Sequence, residues 1–325
     1  MHPRIGWALL ALTAISACEL PEKPYPAPVG LATEAAMGTN YQNVVYFSLE
    51  TDTALMVRPR DAYDVRWDPQ LNPHGIRINS SGFGRFKRSG AYDFGSQLDT
   101  ANFEGTWQWS REGSELFAED LGRWTDWEIN GWSPVFAVLP GIDASGMERP
   151  MWRIQLRRNT DGISLYFAPF GSPESADSVR WVAADGLQFM RFDLGIVPKS
   201  AVEPPNWDFL MGQYVDQDTV PGTGELVPYV VRGVLLPPHR GGLRVRRAWN
   251  DLNPEWAYAQ ELEFRSNVVG YDWKSYSFAS ASYVTDTAAT FLLERSDASR
   301  YALRFLDFYS SQGQRGFVQT QWKPL

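Results

Sequence analysis

The chain has 325 residues, 44% hydrophobic and 21% charged, with a formal net charge of −8. That length is enough to bury an ample core in one large or two medium domains. The acidic balance argues against nucleic acid or an anionic membrane surface as the partner. With 1 Cys and 3 His, disulfide staples and Cys-rich zinc sites are excluded, and few resources remain for nucleophilic or metal catalysis.

The N-terminus carries positive charge through Arg4, then an apolar run over 5–14, then Ile15-Ser16-Ala17-Cys18. This order reads as a lipoprotein signal peptide over 1–17, cleaved ahead of Cys18. Cys18 is then the lipidation site, where two or more acyl chains give stable anchoring. Glu19 follows it, rather than the aspartate linked with inner-membrane retention, which favours the outer membrane. Cleavage takes the net charge from −8 to −9, since Arg4 is the one Arg or Lys removed and no acid goes with it. Pro21, Pro24, Pro26 and Pro28 stiffen an extended tether within 18–36 that lifts the folded body off the lipid.

Residues 40–49 (NYQNVVYFSL) have the β-branched and aromatic content of a strand. Residues 56–68 lead into Trp67-Asp68. Ile76-Arg77-Ile78 alternates apolar and polar side chains before Ser80-Ser81-Gly82 breaks the pattern, and 82–105 reads as loops with short strands. Trp107, Trp109, Trp124, Trp127 and Trp132 crowd the next segment, where core and sheet-edge packing is the expected use of such large aromatic area. Trp152, Ile154 and Leu156 alternate with Arg153, Gln155 and Arg157; a turn at Asn159-Thr160-Asp161-Gly162 follows, then Ile163, Leu165 and Phe167. This predicts a β-hairpin with one buried and one wet face.

Gly171-Ser172-Pro173-Glu174-Ser175 is the strongest boundary signal. Beyond it, 179–194 supplies two strand-like runs around Asp185-Gly186, with Met190, Phe192 and Leu194 on one face. The pair Pro204-Pro205 restricts the backbone ahead of Trp207-Asp208 and a strand reaching Tyr214. Residues 227–236 and 243–247 read as strands, and 291–305 as a second hairpin around Ser296-Asp297-Ala298-Ser299. Residues 252–264 suit one short helix starting near Asn253-Pro254. The rest is β.

The two Trp-Asp steps lie 140 positions apart, and Asp161 and Asp297 of the two hairpin turns lie 136 apart. Nearly equal offsets predict an internal duplication, with one β-rich half over 37–172 and a second over 173–325.

The residues reached so far resemble the HmuY-like family of bacterial haem-binding surface lipoproteins. The resemblance rests on the leader with Cys18, on residues 40–49 followed by Trp67-Asp68 and Ile76-Arg77-Ile78-Asn79-Ser80-Ser81-Gly82, and on Glu203-Pro204 with Trp207-Asp208 and Tyr214. It extends to residues 301–309 (YALRFLDFY), then Gly313 and Gly316-Phe317. It implies an all-β fold of two HmuY-like sheet units and a non-enzymatic role. It also implies haem or a related porphyrin held between two axial histidines or methionines and kept available to an outer-membrane uptake receptor.

After the leader only His74 and His239 are present. Neutral imidazole is a sound haem ligand, so both are haem-ligand candidates, although Asn72-Pro73-His74-Gly75 and Pro237-Pro238-His239-Arg240 also suit exposed turns. Met37, Met56, Met147, Met151, Met190 and Met211 are the thioether alternatives, of which Met190 and Met211 look like core filler. Arg240, Arg244 and Arg246, with Arg247, form a basic cluster that either contacts haem propionates or makes the solvent face of one strand.

Asp68 and Asp208 suggest a carboxylate pair for sugar hydrolysis, but their recurrence in both Trp-Asp steps favours a structural role. Asp216, Asp218 and Glu225 do not match a calcium loop. No nucleophile elbow, paired-histidine zinc helix or phosphate-binding loop is present. Haem binding on the cell surface or periplasmic face is the leading expectation. The alternative is a surface module for glycans or another protein.

Overall fold

The computed structural model describes residues 33–70, 76–95, 99, 103, 105–111, 121, 131–172, 176–237, 243–249, 262, 263 and 265–325. In chain order the first strands are β1 (Thr33–Ala36), β2 (Asn43–Ser48), β3 (Thr53–Pro59), β4 (Val65–Trp67), β5 (Ile76–Ile78), β6 (Arg85–Arg88) and β7 (Gln108–Trp109). The middle of the chain adds β8 (Phe136–Leu139), β9 (Trp152–Arg158), β10 (Gly162–Pro169), β11 (Asp177–Val182), β12 (Gln188–Arg191) and β13 (Gly195–Val197). Last come β14 (Phe209–Thr219), β15 (Leu226–Leu235), β16 (Arg244–Trp249), β17 (Lys274–Ser277), β18 (Ser282–Thr285), β19 (Ala289–Glu294), β20 (Arg300–Tyr309) and β21 (Arg315–Pro324). The chain is all-β as expected, with short 3-10 turns and no α-helix among the described residues.

These strands build two sandwiches, one nested in the sequence of the other. A five-stranded sheet in the order β1-β21-β20-β19-β16 faces the four-stranded sheet β15-β14-β2-β3. Their shared core joins Val45 and Phe47 to Phe209, Met211, Phe291 and Phe305, so it draws only on residues at either end of the described chain. The inner sandwich packs the six-stranded sheet β11-β10-β9-β8-β6-β7 against β13-β12-β4-β5, and its core runs from Val65 and Trp67 to Met190 and Phe192. Here Trp67 stacks on Trp181 with ring centroids 6.3 Å apart. Such side chains each contribute on the order of 1.5–3 kcal/mol on full burial.

This nesting departs from a division at 172/173. β10 and β11, on either side of that point, are hydrogen-bonded neighbours, and β2 and β4 of the first stretch pair with β14 and β12 of the second. The two Trp-Asp steps have unlike surroundings. Trp67 fills the inner core, whereas Trp207 packs edge-on against Tyr46 at 5.0 Å in a separate cluster.

The hairpin of β9 and β10 forms in the expected register, but the face read as wet is largely covered. Arg153 and Gln155 are buried because loop carbonyls meet their donors: Arg153 reaches Phe94 O and Ser172 O, and Gln155 reaches Tyr92 O and Ser133 O. Met190 and Phe192 are buried as expected, but Leu194 is 70% exposed, because a turn intervenes and breaks the alternation. Of the expected helix at 252–264, Leu262 and Glu263 are described, and Glu263 is bridged to Val245 as extended backbone. Trp124, Trp127 and 173–175 lie outside the described residues. Trp109 and Trp132 lie under the guanidinium groups of Arg85 and Arg157, 4.9 and 5.2 Å from the ring centroids, which is sheet-edge packing.

The joint between the sandwiches is polar and buried. Arg58, Arg60, Asp61, Tyr63 and Asp64 are each 5% exposed or less. Asn79 locks this stretch: its Oδ1 accepts from Ser81 N at 3.0 Å, and its Nδ2 donates to Arg60 O and Tyr63 O at 2.7 and 2.8 Å. Gly141 closes over the same turn at φ +91°, where a Cβ would meet Gly82 O at 1.7 Å; only glycine fits. Asn79→Ala leaves two carbonyls and one N–H without these partners, an expected loss of about 2–3 kcal/mol. Urea unfolding measures it, and a loss under about 0.5 kcal/mol, the size of a surface change, would refute this role.

Candidate binding cleft

The cleft is organised by the segment Glu203-Pro204-Pro205-Asn206-Trp207-Asp208. A 3-10 turn at Lys199–Ala201 ends just before it, and the prolines hold the chain extended. Asn206 takes the left-handed conformation at φ 55°, which asparagine tolerates better than most residues. The Trp207 indole N–H donates to Glu203 Oε1 at 3.1 Å. Asp208 N donates to Phe47 O at 2.8 Å, and its Oδ2 accepts from Leu49 N at 2.7 Å. The segment is thereby fastened to β2 from both its backbone and its carboxylate.

Arg295 forms the opposite wall. Its Nε lies 3.2 Å from Asp208 Oδ1 and its Nη1 3.4 Å from Glu50 Oε2. The adjoining turn is shaped by Asp297, whose Oδ1 accepts from Ser299 N and Oγ at 2.9 and 2.5 Å; these bonds hold its carboxyl below the usual range. Burial pushes the Asp208 carboxyl up, against the Leu49 N–H and Arg295. Between these walls lies a cleft of about 330 Å³, lined by Lys199, Glu203, Pro204, Pro205, Asn206, Trp207, Asp208, Pro237, Leu243, Arg295, Ser296 and Asp297. Its volume is at the small end of ligand pockets, roughly 300–1,000 Å³. Its chemistry is mixed: proline, leucine and indole surfaces, two cations and three carboxylates.

Two of the lining residues matter for the sequence-derived candidates. Pro237 and Leu243, which both line the cleft, are the described residues flanking 238–242, the stretch that holds His239 and Arg240. His239, Arg240, His74 and Cys18 themselves lie outside the described residues. Arg244 is half-buried and ion-paired to Glu294, which also accepts from Arg300 Nε at 2.9 Å. Arg246 is half-buried on β16 opposite Leu292. Neither is among the described residues lining the cleft.

Met37, Met190 and Met211 are fully buried core residues, while Met147 is 67% exposed. Asp208 serves structure through Leu49 and Arg295, and Asp68 accepts from Gln70 N at 3.2 Å in a turn. Asp216 accepts from Gln217 N and Asn267 Nδ2, and Asp218 from Thr219 N. Among the described residues no group of three His, Cys, Asp or Glu is placed to hold a metal. Sequence reasoning passed over Arg295, Lys199 and Glu50. The available signal was the polar turn around 296–299 opposite a proline pair.

The family model described as HmuY protein matches residues 40–322. The chain belongs to the HmuY family. The HmuY family is a family of binding, non-enzymatic proteins. No curated protein matches the chain. Among solved structures it is similar to apo PinO from Porphyromonas gingivitis, with 9% identity, 92% of this chain and 98% of that chain covered, and a TM-score of 0.28. It is also similar to a candidate lipoprotein from Bacteroides fragilis, with 11% identity, 60% and 90% covered, and a TM-score of 0.22.

Proposed function

We propose that this HmuY-family protein binds haem or a related porphyrin, without catalysis, as a cell-envelope lipoprotein anchored through Cys18 to the outer membrane. The observation that carries this reading is that Pro237 and Leu243, on either side of the stretch holding His239, both line the cleft at Glu203–Asp208. The described lining has apolar surfaces for a porphyrin edge and two cations, Lys199 and Arg295, for propionates. It has no histidine or methionine, so His239 supplies the axial imidazole in this reading. His74 is the candidate second ligand, and Arg240, Arg244 and Arg246 are further propionate contacts. An outer-membrane uptake receptor is the natural recipient of the cargo.

The test is a haem titration of the body that follows Pro28, read by visible absorption. The expected result is a saturable one-to-one Soret band whose affinity falls at least about tenfold, or about 1.4 kcal/mol, in His239→Ala. A titration without saturation would sink the haem reading and turn the search to glycan or protein ligands. A spectrum indifferent to His239→Ala would remove the cleft from it.

A further inference from the structure

Behind Trp207 lies a second, smaller chamber of about 30 Å³, whose lining includes Tyr46, Arg58, Tyr63, Arg66, Glu203 and Trp207. Glu203 and Trp207 belong to both spaces and form the wall between them. A chamber of this size holds roughly one water-sized group.

Its polar lining is unbalanced. Arg58 is 4% exposed; its Nε and Nη2 donate to Tyr46 Oη at 3.3 and 3.2 Å, and its Nη1 to Pro59 O at 3.1 Å. Its guanidinium also lies 5.5 and 5.2 Å from the ring centroids of Tyr46 and Tyr63. Among the described residues no carboxylate lies within ion-pair distance of Arg58. Burial opposes its charge, but Tyr46, Tyr63 and Glu203 more than offset that, so it stays charged.

Tyr46, 3% exposed, accepts both Arg58 bonds. Among the described residues its own proton has no acceptor. Glu203 is the one acid of the lining, and its Oε1 is held by the Trp207 indole. The Arg58 guanidinium therefore has no carboxylate against it among the described residues, and an anion in the adjoining space would supply a close counter-ion.

We propose that this chamber binds one small monovalent anion, chloride, held by the Arg58 guanidinium and the Tyr46 hydroxyl. Arg66 adds long-range attraction, and Glu203 limits the affinity by repulsion.

The site is tested on the haem-free mature body in sodium gluconate, whose anion is too bulky for the chamber. Chloride replaces gluconate at constant ionic strength. Thermal unfolding and chloride NMR line width are the readouts. A saturable rise in Tm with chloride, with chloride line broadening over the same range, is the result expected.

Glu203→Gln keeps an acceptor for the indole and removes the repulsion, so its affinity for chloride should rise several-fold. Arg58→Gln should abolish saturation. Linear salt effects in both the wild type and Glu203→Gln overturn the proposal. So does an undiminished response in an Arg58→Gln protein that keeps its β-sheet circular dichroism. No haem is added, so this outcome is independent of the haem titration.

Discussion

Arg149→Ala is expected to destabilise the protein by about 3–5 kcal/mol at pH 7, the range for removing one partner of a buried ion pair. Arg149 sends both terminal nitrogens to Asp64: Nη1 bonds Oδ1, and Nη2 lies 3.1 Å from Oδ2. Nη2 also reaches Asp193 Oδ1 at 3.2 Å. Asp64 is 1% exposed and also accepts from Phe192 N at 2.8 Å. One guanidinium therefore ties the loop following β8, the turn ahead of β4 and the end of β12. Without it, Asp64 is a buried carboxylate with no cation against it.

Burial already pushes Asp64 above the usual carboxylate range, against the lowering effect of Arg149. Loss of Arg149 raises it further. In the variant the folded state holds its proton to higher pH than the unfolded chain does. Its deficit is therefore largest above the folded pKa and shrinks as acidification takes the pH down through that pKa toward the unfolded value. Combining Arg149→Met with Asp64→Asn should recover much of the loss, because an amide keeps an acceptor for Phe192 N and carries no charge. Urea unfolding at pH 7 and pH 5 decides it. A single variant that loses under about 1 kcal/mol, the value of an exposed pair, would show that the pair is not structurally coupled.

That network marks where sequence reasoning stopped. Strands were legible wherever a local pattern carried them: β2 from its β-branched run, β9 and β10 from alternation around Asp161, β19 and β20 from the turn at 296–299. Burial of polar residues was not legible. Arg60, Asp61, Asp64 and Arg153 belong to types that are rarely buried unless paired, and partners of each come from distant sequence. Asp64 meets Arg149 across 85 positions and Phe192 N across 128. A window of ten or twenty residues contains neither partner.

The same reason hid the nesting of the sandwiches. A spacing of 140 between two Trp-Asp steps suggests two units laid end to end. The pairings of β2 with β14 and β4 with β12 are long-range contacts that the spacing does not encode. The Glu203–Asp208 segment could be seen as a proline-stiffened turn. Its role as a cleft wall depends on Leu49 N, 159 positions away, and on Arg295.

Lys274 supplies the other large expected effect, an unusual rise of stability with pH. Its ammonium sits 4.4, 5.4 and 4.8 Å from the ring centroids of Trp273, Tyr283 and Phe308 and donates to Arg232 O. The rings and the carbonyl favour the charge. Burial, and then the Arg232 guanidinium, oppose it, while Asp272 helps less, and the balance pushes Lys274 down to about 7 from 10.5. The unfolded amine keeps its proton to about pH 10.5, so between pH 7 and 10.5 unfolding takes up a proton and stability rises with pH. Below pH 7 both states are protonated and the full penalty stands, about 5 kcal/mol for 3.5 units at 1.36 kcal/mol each.

Lys274→Met removes that penalty and keeps the stem packed against the rings, but it leaves Arg232 O without this donor, a cost of about 1–3 kcal/mol. The variant should therefore be the more stable protein at pH 6 by about 2–4 kcal/mol, the difference of those two terms, and the less stable one near pH 10. The difference between the two urea-unfolding profiles isolates this amine, because the other titrating groups are common to both. The expected crossing lies between pH 7 and 10. Parallel profiles over that window would mean that the three rings hold the ammonium at its ordinary pKa. The β17–β18 hairpin would then be fastened to the outer sandwich by a permanent cation rather than by an amine that loses its charge near neutrality.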